Sequence, residues 1–348
     1  MTARIPVLRP IDVVVNSAGP WSTVRVEQPF RAMQQHGWDV CFVATPFDPV
    51  LQIRDSALVI WQRPLPESVE QWRSVVEGWR RRGCLVLVEW DDHPDLFRLA
   101  IREQCKAVDH IHLRCCHGVQ TSNPLLAEVL RRFNPHVFEL ENGVQPIPSL
   151  RHEQSQPSAR VFLGNFNREQ EQRQLAPALK RWFHESEAPQ LVTVGPSGLE
   201  GLLPPERLES HAPLAYPDYR ELLASCQVAL LPLQCGEPQA CKTPIKWLEA
   251  AAESVAVVAG PELYKPWLEQ GRYGLFASEL SAMVPLARQL VEHPQQRMEL
   301  VERAHARSHD FQLERLLPWR MALYRHLNRL AQPLERALGR RFPIRQGV

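Results

Sequence analysis

Apolar runs of four to six residues recur along the whole chain, set apart by stretches with a helical period. Ile11–Val15, Asp39–Ala44, Ala57–Trp61, Cys84–Val88, Gly118–Thr121 and Val137–Leu140 read as strands with helices between them. Runs this apolar suit strands covered on both faces of a parallel sheet. Their alternation with helices predicts a doubly wound domain over residues 1–145. From Pro146 to Ala159 the pattern stops: PIPSLRHEQSQPSA is polar, proline-rich and without a period, and reads as a linker over 146–159. It restarts at Val161–Gly164, Leu191–Gly195, Val228–Leu231, Val255–Ala259 and Gly274–Ala277, predicting a second Rossmann-like domain over 160–310. An amphipathic helix over 311–332 follows, and then a basic tail over 333–348 with Arg336, Arg340, Arg341 and Arg345 against Glu335. The expected class is α/β, two doubly wound parallel-sheet domains facing a cleft. Ligands of such sheets sit beyond the carboxyl ends of the strands.

The densest signal is CKTPIKWLEAAAESVAVVAG, Cys241 to Gly260, a helix running into a buried strand. Thr243 is suited to cap the first turn and Pro244 to occupy the first helical position. Ile245, Leu248 and Ala252 form an apolar stripe, and Glu249 lies beside it. A glutamate there can snorkel to water from the edge of a core. It can also serve a ligand, because Lys242 stands just before the helix start. With free N–H groups and the positive end of the helix dipole, that start suits a phosphate or diphosphate, leaving a carboxylate one to two turns on for sugar hydroxyls.

These residues resemble the glycosyltransferases of family 4 (group 1), proteins of GT-B fold that use nucleoside diphosphate sugars. The match is KTPIKWLEAAAESVAVVAG, and it implies that Glu249 holds the donor ribose while Lys242, Thr243 and the helix start hold its diphosphate. One departure is Cys241, which occupies the place where the family often has a first glutamate contacting the transferred sugar; a subgroup lacks that glutamate too. The resemblance also implies that Arg168, after the strand in VFLGNFNREQEQ, faces the donor phosphates, although the family's arginine and lysine pair five apart is missing. In HAPLAYPDYRELLASCQVALLPL, backbone near Leu214 and Ala215, with Tyr216 alongside, would meet the nucleobase. Glu237 and Gln239 in QCGEPQA sit where the donor sugar would lie, Tyr264 and Gly274 match packing positions, and the last helix is expected to cross back to the first domain. Retention of anomeric configuration and independence of metal follow from the same resemblance.

In the first domain the loop NSAGPWST precedes Arg25 and Pro29, and the absence of a GxGxxG run counts against a dinucleotide-dependent oxidoreductase. Arg25 is either a ligand contact or a solvated arginine at a helix end. Asp91, Asp92 and His93 stand together in VEWDDHPDLF after a strand. They can hold acceptor hydroxyls and take part in proton transfer, and the family places an acidic pair or a histidine here; alternatively Asp92 or Asp95 caps the following helix. GVQTSNPLLAEVL predicts a cap at Ser122 or Asn123 with Pro124 opening a helix, and Asn142-Gly143 predicts a turn.

The 40 basic and 39 acidic side chains leave a charge of +1, which gives no reason to expect nucleic acid. No apolar run reaches the roughly 18 residues of a membrane span, and the eight cysteines lack paired spacing, so a cytoplasmic protein with reduced thiols is expected. His110, His112, Cys115, Cys116 and His117 carry zinc-ligand chemistry at a spacing that fits no standard metal pattern. The expected activity is transfer of a sugar from a nucleoside diphosphate donor to a hydroxyl of a glycan, lipid-linked or small acceptor, without a cofactor or metal. The basic tail would be able to touch anionic lipid at the inner membrane face. A nucleotide-sugar epimerase and a non-catalytic GT-B partner subunit are the alternatives.

Overall fold

The structure, a computed structural model, describes residues 8–16, 19, 22–44, 52–152, 158–164, 168–260 and 262–345. Ser17, Ala18, Pro20 and Trp21 of the NSAGPWST loop, residues 153–157 of the expected linker, and Asn165, Phe166 and Asn167 lie outside the described residues. The chain forms two compact units, Met1–Asn142 with Leu313–Val348, and Gly143–Gln312. The stretch expected as a linker over 146–159 thus belongs to the second unit.

Each unit is built on a six-stranded parallel sheet. The first contains β1 (Ile11–Val15), β2 (Val40–Ala44), β3 (Leu58–Gln62), β4 (Leu85–Glu89), β5 (Gly118–Thr121) and β6 (Val137–Glu139), in the order β2-β1-β3-β4-β5-β6. The second contains β7 (Arg160–Gly164), β8 (Gln190–Val194), β9 (Leu208–His211), β10 (Val228–Pro232), β11 (Ala256–Gly260) and β12 (Leu275–Phe276), in the order β12-β11-β10-β7-β8-β9. The strand order reverses between β1 and β3, and again between β7 and β10. At such switch points successive crossovers leave to opposite faces, and a crevice opens beyond the strand ends.

Every strand expected from the apolar runs is present, with ends within one residue of the expectation. β3, β4, β10 and β11 are buried along their whole length, which is why their sequences carry no polar alternation. β9, with the sequence LESH, was not foreseen; as a partly buried edge strand it needs no apolar run. In the first unit, one face of the sheet packs against Phe30 and Met33 of the Gln28–Gln35 helix and Leu317, Tyr324 and Leu327 of the Leu313–Arg329 helix. In the second, Leu175, Leu179 and Phe183 of Glu169–Phe183 cover Val161, Leu191, Val228 and Val258.

The residues expected as a loose basic tail instead form a helix, Ala331–Arg341, within the first unit. Leu334 and Leu338, four apart, are buried. Glu335 lies 2.7 Å from Arg80 Nη2 and 2.9 Å from His117 Nε2. Arg341 donates to the Arg114 carbonyl at 3.1 Å, and Arg345 pairs with Glu77 at 3.0 Å. His117 is thereby a fixed internal donor, its Nδ1 accepting the Val86 N–H at 2.9 Å, while His112 lies apart, buried 4.8 Å from the Trp90 ring centroid. Among the described residues no helix is long and apolar enough to cross a membrane.

Candidate functional site

The carboxyl edge of the second sheet gathers most of the residues expected to bind a donor. Beyond β7 and β10, at the switch point, Arg168 lies 3.8 Å from Glu171, whose Oε1 accepts the Gln234 N–H at 3.3 Å. The start of the Glu169–Phe183 helix is thereby tied to the end of β10. Following that strand, Gly236 adopts φ 134°, a backbone conformation that favours glycine, and exposed Glu237 opens the one-turn helix Glu237–Ala240. Lys242 continues the turn by donating its N–H to the Gln239 carbonyl at 3.1 Å.

The Ile245–Ala252 helix then begins one residue later than expected. Pro244, not Thr243, occupies the capping position, and no side chain caps there. Proline has no polar side-chain group to offer the free N–H groups, so the residue at the capping position contributes none. Glu249 is 1% exposed and does not snorkel. Its Oε2 receives the Tyr219 hydroxyl at 3.2 Å and Lys246 Nζ at 3.2 Å. Lys246 also meets the Tyr219 hydroxyl at 3.2 Å and lies 4.3 Å from its ring centroid, with its side chain 42% exposed. Both hydrogen bonds converge on Oε2, and Oε1 takes part in neither.

Tyr216 is buried, ring-stacked on Tyr219 at 6.3 Å, and accepts from Arg220 at 3.3 Å. Burial and then the charge of Glu249 raise the pKa of both phenols, so both stay protonated and Tyr219 acts as a hydrogen-bond donor. Arg220 completes the wall through a 2.6 Å ion pair with Glu253. Burial also raises the Tyr264 phenol, on which the charges of Arg168, Lys246 and Glu249 act. The start of the Glu169–Phe183 helix and the Ile245–Ala252 helix therefore both bring ionic groups to bear on this phenol. Cys241 is fully buried. Tyr219, Lys246 and Glu171 were not singled out in the sequence. Lys246 had a signal, lying three residues before Glu249 on the same helix face.

The first unit carries the acidic group. Arg63 follows β3, its Nε 2.5 Å from Asp91 Oδ1 and its Nη2 2.9 Å from Asp92 Oδ2. Burial works against the guanidinium's charge, but Asp91 and Asp92 together outweigh it and raise its pKa. Asp92 caps no helix, and neither does Asp95. His93 itself caps the one-turn helix Pro94–Leu96, its Nδ1 accepting the Asp95 N–H at 3.1 Å. That bond places the proton of the neutral ring on Nε2. Behind the group, Arg25 is 2% exposed rather than solvated. It pairs with Glu89 at 2.7 Å and donates to the Leu140 carbonyl at 2.8 Å and to Asn142 Oδ1 at 2.6 Å. Gln120 Nε2 meets the other Glu89 oxygen at 2.5 Å, and the Tyr324 hydroxyl meets Gln120 Oε1 at 3.0 Å.

Residues 168–313 match a family model described as glycosyl transferase-like. No curated protein matches the chain. Among solved structures, the chain is similar to sucrose-phosphate synthase from Thermosynechococcus elongatus at 14% identity, covering 92% of this chain and 99% of that one, with a TM-score of 0.66. Similar too is HepE from Anabaena in complex with UDP-glucose, at 14% identity over 89% of this chain and 97% of that one, with a TM-score of 0.65. A glycosyltransferase from Rickettsia africae gives 10% identity, 92% and 98% coverage and a TM-score of 0.60. At these identities the likeness is one of fold, and the fold is GT-B: two doubly wound α/β domains.

Proposed function

We propose that the chain is a retaining, metal-independent glycosyltransferase of family 4 that moves a sugar from a nucleoside diphosphate donor to a hydroxyl of a glycan, lipid-linked or small acceptor. The observation that carries this is Glu249, a buried carboxylate held on one oxygen by Tyr219 and Lys246, inside the stretch that matches the glycosyl transferase-like model. In this reading Glu249 takes the ribose hydroxyls, Tyr216 lies beside the base and Glu237 beside the sugar. As the glycosidic bond breaks, charge develops on the diphosphate. Arg168, Lys242, the backbone at Thr243 and the start of the Ile245–Ala252 helix are the groups that would stabilise it.

On the acceptor side, Asp91 and Asp92 accept hydrogen bonds from acceptor hydroxyls. His93, with its Nδ1 lone pair committed to Asp95, donates through Nε2 and is not a base. The Arg63 guanidinium already bridges the two carboxylates as their resident cation, which supports a reading without a metal there. The protein would work in the cytoplasm. Any contact with anionic lipid would fall to the exposed Arg336 and Arg340, since Arg341 and Arg345 are bound to their own unit.

Buried Cys241 favours a second reading, a GT-B subunit that binds without turnover, because the usual first glutamate is missing. Thermal stability measured against a panel of nucleoside diphosphates and their sugars separates the two when paired with product analysis. Ligand at 100 times its dissociation constant stabilises the folded state by about 2.7 kcal/mol. A selective shift lost in Glu249→Ala and Lys242→Ala, with sugar released, supports the enzyme; a shift without release supports the partner subunit. No shift with any nucleotide removes both.

A further inference from the structure

The backbone of Arg63 is in the left-handed region, at φ 43°. Non-glycine residues pay for that conformation in strain, and it persists only where surrounding contacts hold it. Here both backbone groups are held: the N–H donates to the Glu89 carbonyl at 3.0 Å, and the carbonyl accepts from Asn16 Nδ2 at 3.0 Å. Asn16 follows β1 and Arg63 follows β3, so this contact lies at the switch point of the first sheet, where ligands of doubly wound folds bind. The side chain, 17% exposed, is fixed as well, by its two carboxylate partners and by Phe97, whose ring centroid lies 5.3 Å from its Cζ. A strained backbone, a fork reaching two adjacent carboxylates and a ligand-binding edge thus coincide at one residue.

We propose that Arg63 is a positioning residue for the acceptor, holding Asp91 and Asp92 side by side so that together they accept hydrogen bonds from neighbouring hydroxyls of a neutral polyol. The assignment rests on the glycosyltransferase reading. It names the acceptor class by charge: an anionic acceptor would meet two carboxylates already shared with one guanidinium, whereas a diol supplies two donors to them. A lysine at this position would place one point charge where a planar fork now reaches both groups.

The test uses the full-length enzyme, with UDP-glucose as donor and glucose as acceptor, and the variants Arg63→Gly, Arg63→Asn and Arg63→Lys. Glycine and asparagine adopt the left-handed backbone readily, so a lower melting temperature in either variant reports the carboxylates left without their cation and not backbone strain, and kinetics are read well below it. The expected result is an acceptor KM raised about tenfold in both, donor KM within about twofold of the parent, and partial recovery of acceptor KM in Arg63→Lys. Equal rises in the two KM values, or an unchanged acceptor KM, overturn the proposal and leave the glycosyltransferase reading standing. Parent enzyme that hydrolyses UDP-glucose but glucosylates neither glucose nor glycerol overturns the polyol assignment. Parent enzyme that neither hydrolyses nor transfers from UDP-, GDP- or ADP-glucose overturns the reading itself.

Discussion

At Arg25 a guanidinium removed from water is held through Nε by Glu89 and through Nη1 by the Leu140 carbonyl and Asn142. Arg25→Met leaves Glu89 charged and buried without its cation, and breaking a buried pair on one side costs about 3–5 kcal/mol. Urea unfolding should show that loss, and the double variant Arg25→Met, Glu89→Gln should recover part of it, because no bare charge is left inside. Gly260 is a steric counterpart. A Cβ there would lie 2.2 Å from the Ala277 carbonyl oxygen, so Gly260→Ala must push β11 and the following chain apart. Overpacking of this kind costs about 1–3 kcal/mol, read as a lower urea midpoint. Glu249 and Lys242 were singled out as candidates from the sequence because a carboxylate beside an apolar stripe and a lysine before a helix are local patterns. Arg63 and Tyr219 were not. Arg63 meets its partners 28 and 29 positions away, and Tyr219 meets Glu249 30 away, through strand order that no short motif reports.

Among the elements, the Pro124–Arg131 helix is the plainest case of a start signal kept. Asn123 Oδ1 accepts the Leu125 and Leu126 N–H groups at 2.7 and 3.2 Å, and Pro124 follows. Asn123→Ala should cost about 1 kcal/mol in chemical unfolding. The strands were legible for a simple reason: a strand buried on both faces writes its burial into every residue. The closing Ala331–Arg341 helix was misread because the four arginines of residues 333–348, three of them in the helix, dominate the composition of the segment. Its real signal was Leu334 and Leu338 on one face, with Glu335 turned inward to Arg80 and His117. Burial opposes ionisation of Glu335, but hydrogen bonds from His117 and Arg80 hold its carboxyl at about 2, below the ordinary 4.5. Burial lowers the His117 pKa below the ordinary 6.5. Both groups therefore take up protons in the unfolded chain first. Stability is full above about pH 6.5, falls as His117 is protonated on unfolding, and falls again between about pH 4.5 and 2 as Glu335 is. Unfolding across pH 3 to 8 should show this slope, flattened at its acid end in Glu335→Gln.

For the molecule as a whole, the consequential feature is that the first unit is not continuous in sequence. Leu313, Leu317, Tyr324, Leu327, Leu334 and Leu338 all lie buried in it, although they come from the last 36 residues. Fully burying one such side chain contributes about 1.5–3 kcal/mol, so a chain ending at Gln312 loses more than a domain's usual margin. Calorimetry of that truncation should show the first unit unfolded while the second, Gly143–Gln312, still melts cooperatively. The two-domain plan was legible from the restart of the strand pattern at Val161. Which unit the closing helices join was not, because an amphipathic stripe says that a helix packs without saying on what.

Synthesis runs in one direction, and that gives the discontinuity a temporal meaning. When the ribosome has delivered the first unit's six strands, the surface that covers them has not been translated, and it appears only after every residue of the second unit has emerged. The sheet that begins the chain is thus the last to be finished. During elongation its apolar face is open for the time needed to make nearly two hundred further residues, roughly ten to forty seconds at about 5–20 residues per second. That interval, and not the stability of the completed fold, sets how long this apolar face stays without the helices that cover it.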